Sequence, residues 1–406
     1  MTIFYRCYHF ALKCIVIFIG IPNPRLYTGY SGLAQWLQTW QTEKPLLVIS
    51  DATLLKLGVL KKTLASLDEQ QIKWHLYTDV APNPSIDNVE KGVQVYNAQQ
   101  CAGIIAVGGG SVLDCAKLIA ARSVKPKKSV KQLKGLFKVL KKLPPLCAIP
   151  TTAGTGSETT VAAVVNDPQT QKKYAATDFS LVPSDAILIA ELTQSVPDFI
   201  TAATGIDALT HAIESYIGKI GLNFSDQKSL QAIELIINNL PTAYNDGDNL
   251  VARENMLLAS FYAGQAFTRA SVGYVHAIAH QFGARYGTAH GLANSVLLMP
   301  VLKFYGPVIS PKLAEVADYC KLTQPDQSIE VKANILLTTI EQLLEVLNIP
   351  KHLPEIQRSD IKELAKAALK EAHPDYPVPA FMNQAQCEVI IREVYIQQPS
   401  KTKTVC

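Results

Sequence analysis

The sequence predicts an α/β N-terminal half built on a parallel sheet, joined to an all-helical C-terminal half. Three observations carry this. Short apolar runs alternate with helical patterns up to about residue 195, and after Pro197 the patterns become long and helical. The chain has 406 residues, more than the roughly 250–300 at which one hydrophobic core stops growing. The expected units are residues 1–196 and 197–406.

In the first half, PLLVISD (45–51), GIIAVGGG (103–110), CAIPTTAGTG (147–156) and AILIAEL (186–192) read as strands. Between them, LLKLGVLKKTLASL (54–67) and SIDNVEKGVQVYNAQQ (85–100) read as helices. Such alternation gives a parallel sheet covered on both faces, because each helix returns the chain to start the next strand in the same direction. In the second half DFITAATGIDALTHAIESYIG, SLQAIELIINNL, RENMLLASFYAGQAF and IEVKANILLTTIEQLLEVL are helical, and the polar tail QQPSKTKTVC is expected to fray.

The apolar run Ile15–Ile21, preceded by Arg6 and Lys13, resembles a secretory leader only superficially. It falls far short of the roughly 20 residues of a membrane span, no small-residue cleavage site follows, and IPNPRLYTG leads directly into a strand-like segment. A buried or edge strand is expected there. The formal charge of +4 excludes a whole-protein field that would attract nucleic acid. The excess is local, in Arg122, Lys125, Lys127, Lys128, Lys131, Lys134, Lys138, Lys141 and Lys142, without an intervening acid. Val130, Leu133, Phe137 and Leu140 fall at helical spacing among them, so the stretch 122–142 is expected to be an amphipathic surface helix with a solvated lysine face. Cysteines at 7, 14, 101, 115, 147, 320, 387 and 406 form no CxxC pair and read as reduced thiols of a cytoplasmic protein.

GIIAVGGGSVLDCAKLIAA is a strand, three glycines and a helix opening at Ser111. Glycine allows close backbone approach to a phosphate, and the new helix aims unpaired N–H groups at the anion. The loop is not the GxGxxG fingerprint, since Leu113 stands where the third glycine belongs. IPTTAGTGSETT (149–160) adds hydroxyl donors for a ribose or phosphate. Asp51, at the end of the first strand, is placed to bind a ribose 2′-hydroxyl, which favours NAD over NADP; as a helix N-cap it would have a compatible structural role.

Asp207 and His211 lie four apart on one predicted helix, as do His276 and His280 on another, and His290 follows. Residues four apart share a helix face, so these five side chains are candidate ligands for one ion. A carboxylate with imidazoles suits a borderline divalent ion such as Fe(II) or Zn(II). With an open position, such an ion is a Lewis acid that polarises an alcohol oxygen.

GGGSxxDxAK, IPTTAGTGSE, GxDALTHAIE and the series HA…HG…N, in that order, resemble the iron-containing (group III) alcohol dehydrogenase family, of dehydroquinate synthase-like fold. The resemblance runs from about Pro45 to Tyr376. It implies an α/β N-terminal dinucleotide-binding domain with a parallel sheet, an all-α C-terminal metal-binding domain, and catalysis in the cleft between them. It also selects Asp207, His211, His276 and His290 as the metal ligands, and gives His280 a place near the nicotinamide as a proton relay or substrate contact. Asp51, Asn83, Gly109, Gly110, Ser111, Thr151, Thr152, Thr160, Lys173 and Leu192 match nucleotide contacts, and a homodimer is expected. Ile189-Ala190-Glu191-Leu192 replaces the family's DPEL, Gly29-Tyr30-Ser31-Gly32 replaces its early GxG turn, and the segment through Ile21 has no counterpart. The function implied is hydride transfer between nicotinamide C4 and an alcohol or carbonyl, with no nucleic-acid or membrane partner. A polyol or sugar-acid dehydrogenase, a lyase of the dehydroquinate synthase type, and a metal-binding scaffold that recruits an anionic partner through residues 122–142 are the competing readings.

Overall fold

Leu46 to Ile49 and Ile104 to Val107 have no solvent exposure on either face, as central strands of a sheet covered on both sides must. The computed structural model describes residues 2–169 and 172–395. Its strands are β1 (Arg25–Thr28), β2 (Leu46–Ile49), β3 (Trp74–Tyr77), β4 (Gly103–Gly108), β5 (Gly135–Leu136), β6 (Leu146–Pro150), β7 (Ala162–Asp167), β8 (Lys172–Thr177) and β9 (Asp185–Leu188). The helices among and before them are α1 (Thr2–Ile19), α2 (Gly29–Leu37), α3 (Ala52–Lys56), α4 (Lys61–Glu69), α5 (Ile86–Ala98) and α6 (Gly110–Val124). From Asp198 the elements are α7 (Asp198–Ile217), α8 (Asn223–Asn245), α9 (Leu250–Ala270), α10 (Tyr274–Tyr286) and α11 (His290–Tyr305). They continue as α12 (Ser310–Tyr319), α13 (Ile329–Val346), α14 (Ile361–Ala372) and α15 (Gln384–Glu393).

The main sheet is wholly parallel, in the order β1-β9-β6-β4-β2-β3. Alternate residues of its strands feed separate cores. Leu47, Ile49, Ile104 and Ala106 join one cluster, while Leu46, Val48, Ile105 and Val107 join the other. From β2 the chain goes out to β3 and returns to β4 on the opposite side, so a crevice opens at the C-terminal ends of β2 and β4. Ser50 Oγ bridges that point by donating to the Val107 carbonyl at 2.7 Å. A second small sheet, β5-β8-β7, pairs β7 and β8 antiparallel beside α6. The helical half has its own large core, and Leu257 and Phe261 of α9 pack on Ala186 and Leu188 of β9 to join the halves.

Three sequence expectations are corrected. Ile15–Ile21 does not form a strand: the chain from Thr2 to Ile19 is helical. Its β-branched residues are outweighed by anchoring, since Arg6, His9 and Lys13, spaced for one helix face, bond the carbonyls of Val378, Pro374 and Gly221. The basic stretch 122–142 is not an amphipathic helix. α6 ends at Val124 before Pro126, Val130–Leu133 make one 3-10 turn, and Gly135, Phe137 and Leu140 take positive φ. Asp178 then accepts the N–H groups of Val139 and Leu140 at 2.9 and 3.0 Å, so the segment follows the small sheet instead. The helix expected over 54–67 breaks into α3 and α4 at Gly58, whose φ is +74°.

β3 and the β7-β8 hairpin have no counterpart among the strands expected from the sequence. The described cysteines are free, and Cys406, like the tail 397–406, lies outside the described residues. No single helix among the described residues is long and apolar enough to cross a membrane.

Candidate metal centre and nucleotide cleft

α7 carries Asp207, His211 and Glu214 on one face, α10 carries His276 and His280, and α11 opens at His290. One ligand atom from each of Asp207, His211, His276 and His290 lies within 4.8 Å of all the others. His276 Nε2 and His290 Nε2 are 3.7 and 3.5 Å from Asp207 Oδ1. Phe267 stacks on His211 with ring centres 4.1 Å apart. Glu214, not singled out from the sequence, accepts His276 Nδ1 at 2.7 Å and also caps α10 through Gly273 and Val275 N–H. Its signal was position: Glu214 follows His211 by three residues on the same helix face. Asn294, one turn after His290, donates to Asp207 Oδ1 at 2.6 Å.

His211 Nδ1 and His276 Nε2 are buried without hydrogen-bond partners. Such orphaned atoms are costly, and a cation between them would relieve that cost. Charge state fits as well. Burial drives the His211 ring down to about 3, with the Asp207 charge acting the other way and His276 and His290 adding to the fall. His290 falls to about 3 through burial, then through His280 and Lys173, and burial puts His276 well below its ordinary value. All three imidazoles are therefore neutral near neutral pH, the form that ligates metal. Burial pushes Asp207 up, while His211 and the Asn294 hydrogen bond pull it back. One carboxylate and three neutral imidazoles suit a borderline divalent ion.

His280 stands apart. Its Nδ1 lies 2.5 Å from Glu371 Oε1, and its ring stacks on His290 at 5.3 Å. Burial would lower this imidazole, but the Glu371 hydrogen bond and charge outweigh it and hold the pKa above its ordinary value. Gln281 and Tyr376 fix Glu371 from two further sides at 2.8 Å each. Nothing in the local sequence pairs positions 280 and 371.

On the sheet side, Gly109 N-caps α6 at the mouth of the crevice, with Thr152 beside it. A Cβ at Gly110 would lie 2.9 Å from Thr155 Cγ2, so that position has room only for glycine. Asn83 N–H donates to Ser111 Oγ at 3.2 Å, and Lys173 Nζ donates to Asn83 Oδ1 at 2.6 Å, which draws three of the expected residues together. Thr151 N–H bonds the Gly108 carbonyl, so the 149–160 loop sits against the glycine turn. Asp51 caps α3 at the end of β2, its Oδ1 accepting from Thr53 and Leu54. Thr160 is buried and its hydroxyl accepts from Lys117 Nζ at 2.7 Å, beneath the loop rather than at its surface. Leu192 is buried in a 3-10 turn formed by Ala190–Thr193 and packs in the core under the sheet. The 151–160 loop also reaches the helical half, with Gly154 against Thr204 of α7 and Gly156 against Gly264 of α9.

Comparison with known proteins gives this cleft its class. A family model described as iron-containing alcohol dehydrogenase matches residues 24–190, and one for the C-terminal part of the Fe-containing alcohol dehydrogenase family matches residues 201–395. The 1,3-propanediol dehydrogenase of Klebsiella pneumoniae is 37% identical over 357 residues, which cover 87% of this chain and 92% of that protein. Alcohol dehydrogenase 4 of Schizosaccharomyces pombe is 37% identical over 333 residues, or 81% and 77% of the two chains. A solved 1,3-propanediol oxidoreductase matches with a TM-score of 0.86 at 34% identity, covering 92% of this chain and 99% of that one. Fold and site together define a metal-dependent oxidoreductase that moves hydride between a nicotinamide and an alcohol or carbonyl. The chain belongs to the iron-containing alcohol dehydrogenase family.

Proposed function

We propose that this enzyme interconverts short-chain alcohols or diols and their aldehydes with NAD, using Fe(II), or Zn(II) in its place, held by Asp207, His211, His276 and His290. The observation that carries the assignment is the convergence of one carboxylate and three neutral imidazoles within 4.8 Å, two of them with orphaned buried nitrogens. When bound, the ion supplies Lewis acidity and the nicotinamide supplies a hydride acceptor.

The chain's own residues supply the rest. Glu214 holds His276 in the tautomer that leaves Nε2 free as a donor. Glu371 takes the Nδ1–H of His280, so the other ring nitrogen is left to accept the substrate hydroxyl proton. Gly109, Gly110, Ser111, Thr151 and Thr152 would cradle the pyrophosphate, while Lys173 and Asn83 would hold the dinucleotide beside them. Asp51, at the end of β2, would bond the adenosine ribose 2′-hydroxyl, a role that favours NAD over NADP. Residues 1–196 and 197–406 serve as the nucleotide and metal units of a cytoplasmic homodimer.

The 1,3-propanediol activity belongs to the Klebsiella pneumoniae relative, and it sets the first substrates to try here. Nicotinamide absorbance is followed over a panel of short alcohols, diols and aldehydes, with NAD or NADP, after anaerobic reconstitution with Fe(II) or Zn(II). Turnover with NAD and a short alcohol is expected. Turnover only with NADP would remove the role given to Asp51, and turnover only with sugar acids would transfer the assignment to that rival substrate class.

A further inference from the structure

Helix α1 lies ahead of the residues matched by the family models, which start at 24. Its contacts nonetheless concentrate on one segment, residues 373–382, between α14 and α15. Arg6 Nη1 and Nη2 donate to the Val378 and Pro379 carbonyls at 2.8 and 2.9 Å, and its guanidinium lies 4.5 Å from the Phe381 ring centre. One turn later, His9 Nε2 is 2.6 Å from the Pro374 carbonyl. Both ends of an otherwise irregular segment are thus tied to one helix face.

That segment reaches the reaction centre. Tyr376 OH donates at 2.8 Å to Glu371 Oε1, the same oxygen that holds His280 Nδ1 at 2.5 Å. The Glu371 side chain is 32% exposed, so water competes for its carboxylate and its geometry against His280 depends on what fixes it. Tyr376 is one of the two constraints, with Gln281 the other, and the place of Tyr376 depends on the segment.

We propose that α1 is a clamp for the proton-transfer group, with Arg6 and Tyr376 as positioning residues: Arg6 fixes the 373–382 segment, and Tyr376 on that segment holds Glu371 against His280. The inference rests on the reading that His280 moves the substrate proton. A reacting group displaced by about 1 Å can lose up to about a hundredfold in rate. A partial loss is expected here, because Gln281 still holds Glu371.

The test compares Arg6→Ala, Arg6→Lys, Tyr376→Phe and Lys13→Gln in the full-length enzyme with metal content measured. Arg6→Ala and Tyr376→Phe should each lower kcat about tenfold while KM for the dinucleotide stays within about twofold. Arg6→Lys should recover most of the loss. The double variant should be no worse than the poorer single one, because both act through Glu371. Lys13→Gln should keep the wild-type kcat, since Lys13 bonds the Gly221 carbonyl at 3.0 Å and makes no hydrogen bond to the segment itself. In metal-free protein with isotope-labelled histidine, the downfield Nδ1–H resonance of His280 should broaden or move upfield in Arg6→Ala and Tyr376→Phe.

An Arg6→Ala enzyme that keeps both its kcat and that resonance overturns the clamp, and so does a strictly multiplicative double variant. Should Arg6→Ala fail to fold, Tyr376→Phe and Arg6→Lys carry the same readouts. If His280→Ala retains wild-type kcat, the proton role of His280 fails by itself, and the resonance still decides whether α1 positions the ring.

Discussion

Glu214 Oε2 lies 2.7 Å from His276 Nδ1, while the same carboxylate accepts the N–H groups of Gly273 and Val275 at 2.8 and 2.7 Å. One side chain of α7 therefore caps α10 and sets which nitrogen of His276 faces Asp207. An amide has a single carbonyl oxygen and cannot serve all three donors. Glu214→Gln is expected to weaken metal binding about 10–100-fold, read by chelator competition and elemental analysis. Unchanged affinity would show that the carboxylate serves α10 alone.

His276 and His280 stand one turn apart yet have different partners, Asp207 with Glu214 for the first and Glu371 for the second. His280→Ala should keep full metal content and lose about 10²–10⁴ in kcat, the range for a positioned acid–base group. His276→Ala should lose metal and turnover together. Depletion of metal in His280→Ala would move that residue into the ligand set.

Burial raises the Glu158 carboxyl to about 7, with a backbone hydrogen bond and Lys117 only partly opposing it, and one of its oxygens has no partner. The folded chain thus keeps a proton that an unfolded glutamate releases near 4.5. The stability from that proton is fully present below 4.5 and is lost as pH rises through about 7. Glu158→Gln escapes the loss, so its advantage over the wild type should grow across this window to on the order of 1–3 kcal/mol. Unfolding midpoints of both proteins at about pH 5 and about pH 8 read the difference. An advantage that is equal at both, or greater at the acid end, contradicts the assignment.

Gly110→Ala puts a methyl 2.9 Å from Thr155 Cγ2 at the mouth of the glycine turn. Overpacking of this kind costs about 1–3 kcal/mol, and where the methyl falls between the turn and the pyrophosphate the same range is about 5–150-fold in dinucleotide Kd. Calorimetric titration with NAD should show that loss with metal content intact. An unchanged Kd would place the dinucleotide elsewhere.

Much of this architecture is legible because the local patterns and the tertiary structure agree. β2 and β4 read as strands because every residue is apolar, and the i,i+4 spacing of Asp207 with His211 survives unchanged on α7. Spacing leaves five ligand candidates, however. What separates His280 from the rest is Glu371, 91 residues away, and no local pattern encodes that. The basic stretch misleads for the opposite reason. Val130 and Leu133 are buried from a single 3-10 turn, whereas Phe137 packs on Phe179 from a left-handed backbone, so their helical spacing is coincidental. α1 takes its conformation from partners in the other half of the chain. β3 is not legible because Trp74, His75 and Leu76 are only half-buried at the sheet edge, where the apolar signal is weak.

A Cβ at Gly264 would fall 2.2 Å from Thr159 Oγ1, and one at Gly156 would fall 2.6 Å from the Gly264 Cα. Two backbones from opposite halves of the molecule thus cross with no space for a side chain on either. For protein engineering this sets a rule of inheritance. A chimaera that joins the nucleotide-binding half of one relative to the helical half of another must take these two positions as a matched pair, because a side chain introduced by either parent would wedge open the seam.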